Sequence, residues 1–560
     1  MSEATVIYPA RRVITMNPAF PSAEAVAVRA GRVLAVGTVE ELAAWGEHTV
    51  DDQFADKIIM PGFVESHCHA MSGGMWQFPY VGFFDRRSPD GQLWPGSADI
   101  PAVIERVREL DEEMRAAGMP DDEVLIAWGV DPLYFDGERL DRHHLDQAAE
   151  TRPVYLYHAS GHLATVNTRM LTDSDITAET PTPGIALGAD GEPNGELQEP
   201  AAMDLPAGAR SKLRSALGNQ DALWKFAYEA RNCGVTMVTD LGGMGLTERR
   251  VSDWESVTGN PEFPVRAMMA VSPAYVGFSD HDEVADAVAA KKSDSADKLH
   301  YGVIKIMLDG SIQGFTARVS WPYYYNAPED AAENGIWIVP PETVAKMVLA
   351  YHRKGLTVHC HCNGDQATQL FVDAVEYALE QHPRWDHRHT VQHCQMTTIA
   401  QYRKMSALGM SANIFSNHLW YWGDQHRDFT QGPERASRMD ACATALREGV
   451  PFSIHSDSPV TPMGHLHTAW CAVNRITPSG DVLGKHERIS VHDAMEAITI
   501  GGAHQIKMDH LVGSLESGKM ADFAILEEDP YEVDPTHLKD IPVWGTVVGG
   551  TPFKSTIGEL

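Results

Sequence analysis

Short runs in which apolar and polar residues alternate open the chain, at 5–8, 12–15, 25–29 and 32–37, the last two separated by a turn at Gly31. Successive side chains of a strand point to opposite faces, so such runs predict half-buried β-strands. One helical period, at 39–45, interrupts them. The C-terminal stretch reads alike: a turn-rich Gly513-Ser-Leu-Glu-Ser-Gly518 precedes predicted strands at 521–526 and 543–549. Both ends are therefore predicted to build one small β-sandwich domain, contributed by residues 1–57 and 507–560.

Between them a strand-then-helix theme recurs. Apolar, β-branched runs fall at 58–65, 235–240, 265–271, 303–308, 356–361, 389–393, 410–415 and 452–456, and amphipathic helices are predicted at 343–354, 367–381, 398–408 and 436–448. Eight such strands predict an α/β fold, a (β/α)8 TIM-like barrel over 58–506. The stretch from about 72 to 218 does not fit that rhythm. It carries strands of its own at 124–128 and 154–158, separates the first two barrel strands, and is predicted to be an inserted subdomain over the barrel mouth. No tandem repeat or low-complexity tract is present.

Composition narrows the function classes. The chain has 560 residues, 43% of them hydrophobic, which is enough for a large core and excludes disorder as the main state. With 45 basic against 77 acidic side chains the net charge is −32, which repels nucleic acid and anionic membrane alike. No run approaches the ~18 apolar residues of a membrane span, and the opening Met-Ser-Glu-Ala lacks a basic, then apolar leader. Seven cysteines, an odd number without framework spacing, suit a reduced, cytoplasmic protein.

The chemistry gathers at the strand ends. In Pro61-Gly-Phe-Val-Glu-Ser-His67-Cys-His69 two histidines stand at i and i+2 and so share a face, which at the C-terminal end of a barrel strand is the inward, catalytic one. Paired neutral imidazoles suit a divalent transition metal. Lys305 sits in the buried run Val303-Ile-Lys-Ile-Met307. A charged ammonium there is costly unless it is paired or neutralised. Two readings stand: a neutral amine that takes up CO2 as a carbamate bridging two metals, or a lysine paired with a buried carboxylate. His361, His393 and Asp457 close three further strands, so donors fall at the ends of five strands in barrel order. Cys68, Cys360, Cys362 and Cys394 alternate with these positions, which makes them outward-facing core cysteines.

These motifs resemble the amidohydrolase superfamily, and within it the branch containing N-substituted formamide deformylases. The resemblance also runs through Ser160-Gly-His162-Leu-Ala-Thr-Val-Asn167, Lys305-Ile-Met-Leu-Asp-Gly-Ser311, Val391-Gln-His-Cys-Gln395, Ser456-Asp-Ser-Pro-Val460 and Gly513-Ser-Leu-Glu-Ser-Gly-Lys-Met-Ala-Asp522. It implies that His67 and His69 hold the more buried metal, that a carboxylated Lys305 bridges, and that His361 and His393 hold a second metal. Asp457 would bind metal and shuttle protons. The implied cofactor is one or two divalent ions per chain, zinc by expectation, and the implied assembly is a homo-oligomer, a dimer. The strand-five motif departs from the usual His-Ala-x-Gly-Asp, reading His361-Cys-Asn-Gly-Asp365 with an extra His359. His359 lies deeper in the strand, and His361 is the favoured ligand. His455 likewise lies deeper than Asp457 and reads as a hydrogen-bonded residue of the barrel interior.

Around this set, His162 reads either as a substrate contact or oxyanion donor, or as a loop-ordering residue. Asp309, Ser311 and Arg318 follow Lys305 in a loop expected to border the site, where Arg318 would neutralise an anionic group or make a structural ion pair. Trp420 and Trp422, after the seventh strand, are expected to wall the pocket with aromatic surface. The expected activity is hydrolysis of a carbon–nitrogen bond in a small amide, best an N-substituted formamide, by metal-activated water with Asp457 moving the proton. Two rivals are a deaminase or cyclic-amide hydrolase on the same scaffold, and a non-catalytic regulatory protein that has kept it.

Overall fold

The computed structural model describes residues 4–135, 138–242, 246–273, 280–327 and 334–557, arranged in two compact units. The first unit comprises Met1–His69, Ala227–Ser458 and Met463–Ser555; the second comprises Ala70–Phe226, Pro459–Pro462 and Thr556–Leu560.

In the first unit eight parallel strands follow one another in chain order: β1 (Phe63–Cys68), β2 (Val235–Asp240), β3 (Arg266–Val271), β4 (Leu299–Met307), β5 (Thr357–Cys362), β6 (Thr390–His393), β7 (Ser411–Ile414) and β8 (Phe452–Ile454). The ladder runs from β1 through to β8. Its two ends are stitched by one side-chain pair and one backbone hydrogen bond: Ser66 Oγ lies 3.2 Å from Ser453 Oγ, and the His69 backbone N–H donates to the Ser458 carbonyl at 2.8 Å. Helices alternate with the later strands. Ile399–Leu408 shows why they start and stop where they do: Thr398 and Gln401 form a reciprocal capping box at its start, and Gly409, at φ 71°, ends it in the left-handed conformation.

Both ends of the chain share one further sheet, in which Phe523–Leu526 pairs antiparallel with Ile58–Pro61, which in turn pairs parallel with Thr5–Ile14. The run predicted as a single strand at 58–65 is thus two strands in two sheets. Gly62 makes the break. Its N–H donates to the Asp522 carbonyl, and a Cβ there would stand 2.0 Å from Thr236 Oγ1, so no other residue fits where the chain passes into the barrel. The helix predicted at 436–448 is likewise two, Gly432–Ala436 and Cys442–Arg447, parted at Asp440, whose φ of 50° no helix accommodates.

The second unit carries its own five-stranded sheet. Leu125–Val130 and Val154–His158 pair in parallel, and Leu163–Val166, Pro193–Gln198 and Ile185–Leu187 add antiparallel strands. Its core is aromatic-rich, with Trp128, Tyr155 and Tyr157 buried. Among the described residues no helix is long and apolar enough to cross a membrane, and the seven cysteines are free thiols.

A chain of buried histidines runs from the helix Pro341–Arg353 to the start of β6. The Val358 N–H donates to His389 Nδ1 at 3.0 Å, so His389 Nε2 carries the proton and donates to His352 Nδ1 at 2.8 Å. His352 Nε2 in turn donates to the His382 carbonyl at 2.8 Å. His387 Nδ1 accepts the His389 N–H at 3.0 Å, and its Nε2 donates to the Leu408 carbonyl at 2.7 Å. All three rings are neutral, each with one donor and one acceptor in use. Burial pushes His387 down to about 4 from its usual 6.5, and lowers His352 and His389 as well. A depressed imidazole favours the folded state above the unfolded value and loses that contribution as protons are added. Thermal unfolding is therefore expected to move to lower temperature as pH falls from about 6.5 towards 4, with His387 alone removing on the order of 3 kcal/mol of stability over that range. His387→Gln, which does not titrate, is expected to flatten the curve of melting temperature against pH; an unchanged slope would clear His387 of this role.

Candidate metal centre

Glu65 and His67 lie on one face of β1, and His69 follows directly after its end. His67 Nδ1 donates to Gln392 Oε1 at 2.7 Å, and this fixes the tautomer that leaves a lone pair on Nε2. That amide is itself held: Asn413 Nδ2 donates to the same oxygen at 2.8 Å, and Gln392 Nε2 donates to His359 Nδ1 at 2.8 Å. His67 Nε2 then faces Lys305 Nζ at 3.3 Å and Asp457 Oδ1 at 3.3 Å, and His69 Nε2 lies 2.9 Å from the same carboxylate oxygen.

His393 joins them by an unexpected route. The ladder pairs His361 with Gln392 and Cys362 with His393, so the pleat alone would send His393 outward beside Cys362. Its backbone instead turns left-handed, at φ 71°, and carries the ring to 4.6 Å from His67 and 4.5 Å from His361, centroid to centroid. Asp457, beyond the end of β8, is also left-handed, at φ 54°. Non-glycine residues held in this region cost energy and concentrate at functional sites. Both His393 nitrogens are buried without a hydrogen-bond partner.

The donors fall into two overlapping groups close enough to grip one ion each, His67–His69–Asp457 and His67–His393–His455. His455 stacks face-to-face on His67 at 4.6 Å and on Phe415 at 4.8 Å. Two rings stacked in parallel planes cannot both aim an in-plane lone pair at one ion, so His455 in this orientation supports His67 rather than sharing its metal. Three imidazoles and a carboxylate suit a divalent transition metal, and the orphaned nitrogens of His393 are what such an ion would satisfy.

The electrostatics agree. Burial, then the charge of Lys305, pushes His67 well below its usual range, and burial together with neighbouring His361 does the same to His393, leaving both as neutral ligands. Burial lowers the Lys305 amine to about 8. Burial would raise the Asp457 carboxyl, but the His69 bond and the nearby imidazoles and amine outweigh it and hold it at about 2.

Other residues singled out from the sequence are placed differently. His361 ends β5 with its ring beside His393, but its Nε2 lies 3.0 Å from the Gly310 carbonyl. His359 is turned to Gln392 and to the Gln505 carbonyl. Asp309 is fully buried and accepts three backbone N–H groups, of Arg318, Asn363 and Gly364, so it shapes the loops. Ser311 Oγ accepts the Gly314 N–H within the same loop. Arg318 reaches Gln366 Oε1 and the Gly335 carbonyl and lies over the Trp337 ring at 4.9 Å. Trp422 is buried against Phe415, and Trp420 meets Trp470 edge-on at 5.4 Å. His162 belongs to the second unit, where Nδ1 lies 3.1 Å from Glu199 Oε2.

Two residues escaped the reading of the sequence. Glu65 accepts the backbone N–H groups of His67 and Ser456, each at 3.1 Å, and the Ser456 hydroxyl, and so ties β1 to the turn after β8. Burial pushes its carboxyl up to about 8. Its signal was present: a carboxylate in an apolar run, in phase with His67 and His69. Gln392 left a fainter one, an amide adjoining a strand-end histidine.

Barrel and donor set together define the class, a hydrolase that works with a divalent metal. Residues 55–553 match the model of the amidohydrolase family, and the chain belongs to that family, hydrolases acting on carbon–nitrogen bonds. The protein LONG AFTER FAR-RED 3 of Arabidopsis thaliana is 28% identical over 549 residues, covering 96% of this chain and 89% of its own. An N-substituted formamide deformylase of Arthrobacter pascens is 24% identical over 551 residues, with 96% of each chain covered. The crystal structure of an uncharacterized metal-dependent hydrolase from Pyrococcus horikoshii superposes with a TM-score of 0.69 at 20% identity, over 95% of this chain and 99% of that one, and shares the fold.

Proposed function

We propose that the protein hydrolyses a small amide, best an N-substituted formamide, to an amine and a carboxylic acid. The observation that carries this reading is the convergence of His67, His69, His393, Lys305 and Asp457 from four separate strands, β1, β6, β4 and β8. In this reading His67, His69, His393 and Asp457 hold a divalent ion, zinc by donor type, and His361 completes a second position if Lys305 carries a carbamate. Such an ion supplies Lewis acidity, which polarises a carbonyl and lets water attack near neutral pH.

The chain's own groups do the rest. Asp457, an anion across the neutral range, takes the proton of the attacking water on its carboxylate and returns it to the departing nitrogen. Gln392 keeps His67 in one tautomer, and Glu65 holds the strand that bears it. The likeness to the Arthrobacter enzyme supports the formamide class. Metal analysis combined with a screen of formamides, acylamines and cyclic amides tests the reading: formate and a primary amine are expected, whereas ammonia or a ring-opened acid as product would replace it.

Trp420 and Trp422 are proposed to wall the pocket for an apolar or aromatic amine substituent. Trp420→Ala is expected to raise KM for benzyl-type substrates selectively, leaving small alkyl formamides unaffected. Trp422→Ala is expected to do the same and also to lose about 3–5 kcal/mol of stability, because that ring is buried. Unaltered selectivity in both variants would remove the pocket assignment.

A further inference from the structure

Arg86, in the second unit, is 4% exposed. Its guanidinium lies 4.8 Å from the Trp128 ring, 5.8 Å from Trp76 and 6.0 Å from Tyr80. Nη1 donates to the Pro459 carbonyl at 2.9 Å, while Nε and Nη2 are buried and have no hydrogen-bond partner. Among the described residues it forms no ion pair. The Trp76 indole N–H is buried and unpartnered as well, whereas that of Trp128 is spent on the Phe78 carbonyl at 3.2 Å.

An arginine stays charged in any protein environment, and a buried charge is stable only when something compensates it. The three ring faces compensate part of it. What they leave without a hydrogen-bond partner is the buried Nε–Nη2 edge, two parallel N–H groups, which is the edge that takes a carboxylate by a two-bond fork. The surroundings are apolar, with Met75, Tyr80 and Trp128 buried and Met71, Trp76 and Phe78 packed against them. One positive charge among apolar walls selects a planar monoanion with an apolar body, and disfavours a dianion.

We propose that Arg86, walled by Trp76, Tyr80 and Trp128, is a binding site for a small carboxylate carrying an apolar group. This goes beyond the metal centre and does not depend on it. Benzoate, acetate and inorganic phosphate are the probes, titrated into the full-length protein and followed by calorimetry and tryptophan fluorescence. Saturable one-to-one binding of benzoate is expected, tighter than acetate and tighter still than phosphate. Arg86→Gln is expected to weaken benzoate by at least about 10-fold, and Arg86→Lys, which keeps the charge and loses the fork, by less. No saturable benzoate binding, or equal affinity in wild type and Arg86→Gln, overturns the site.

Should Arg86→Gln fail to fold, 4-bromobenzoate diffused into wild-type crystals decides the matter: an anomalous peak beside Arg86 upholds the site, and its absence there overturns it. Turnover then separates two sources of the carboxylate. Benzoate that raises KM with kcat unchanged makes the anion a part of the substrate; benzoate that changes kcat at saturating substrate makes it a separate effector.

Discussion

Asp457→Asn is expected to lower kcat by about 10²–10⁴-fold while the protein keeps its metal. The two side chains have the same shape, so the geometry at the end of β8 survives. What changes is the proton chemistry. Asp457 Oδ1 lies 2.9 Å from His69 Nε2 and 3.3 Å from His67 Nε2, and Oδ2 lies 3.7 Å from His393 Nδ1. The bond to His69, with His455 and the Lys305 amine nearby, outweighs burial and holds the carboxyl at about 2, so at neutral pH it is a carboxylate with lone pairs to offer. An amide in its place accepts none. His67, His69 and His393 remain to hold the ion, so metal content measured by elemental analysis is expected to stay near wild type. Near-normal turnover would refute the role assigned to Asp457; loss of metal along with activity would make it primarily a ligand.

His67→Ala is expected to have the opposite signature, with metal affinity and activity lost together. His67 is the one residue common to both donor groups, and its Nε2 is fixed toward them by the Gln392–His359–Asn413 network. Removing it takes away the ring that lies between His69 and His393 and faces both Asp457 and Lys305, so the remaining donors no longer surround one point. Gln392→Leu keeps the ligand but frees its ring, and a loss of 10–100-fold in metal affinity is the usual scale for removing such a partner. Wild-type protein treated with a chelator is expected to lose activity and to regain it with zinc. Chelator-treated enzyme that works as well as untreated enzyme would sink the metal reading altogether.

Much of this architecture was legible in the amino-acid order. The eight strands of the barrel announce themselves because each is a short apolar run bounded by turn residues, and 235–240 was placed to the residue. The Thr398 cap and Gly409 stop bracket a helix visible at 398–408. His67 and His69 could be aimed because a strand alternates. Less legible was whatever depends on contacts distant in sequence. That 58–65 divides between two sheets follows from Thr236 crowding Gly62, which no local pattern reveals. His393 was correctly singled out as a strand end, yet its aim comes from a left-handed turn that reverses what alternation gives. Asp309 looks like a pocket residue because it is polar and next to the site in sequence, but its oxygens are committed to three backbone donors, one in its own loop and two in the loop after β5. Period-two patterns tell which side of a strand a residue occupies; they are silent on what waits there.

The sheet shared by both chain ends has a consequence for biosynthesis. Ile58–Pro61 is synthesised early, yet the strand that covers one of its edges, Phe523–Leu526, is made roughly 460 residues later. At ribosomal rates that interval is roughly 25–90 s, during which Ile58, Ile59 and Met60 present an apolar, unpaired edge. Until translation is nearly finished that edge stays without its partner strand, and ribosome stalling anywhere within the barrel would leave it open to aggregation.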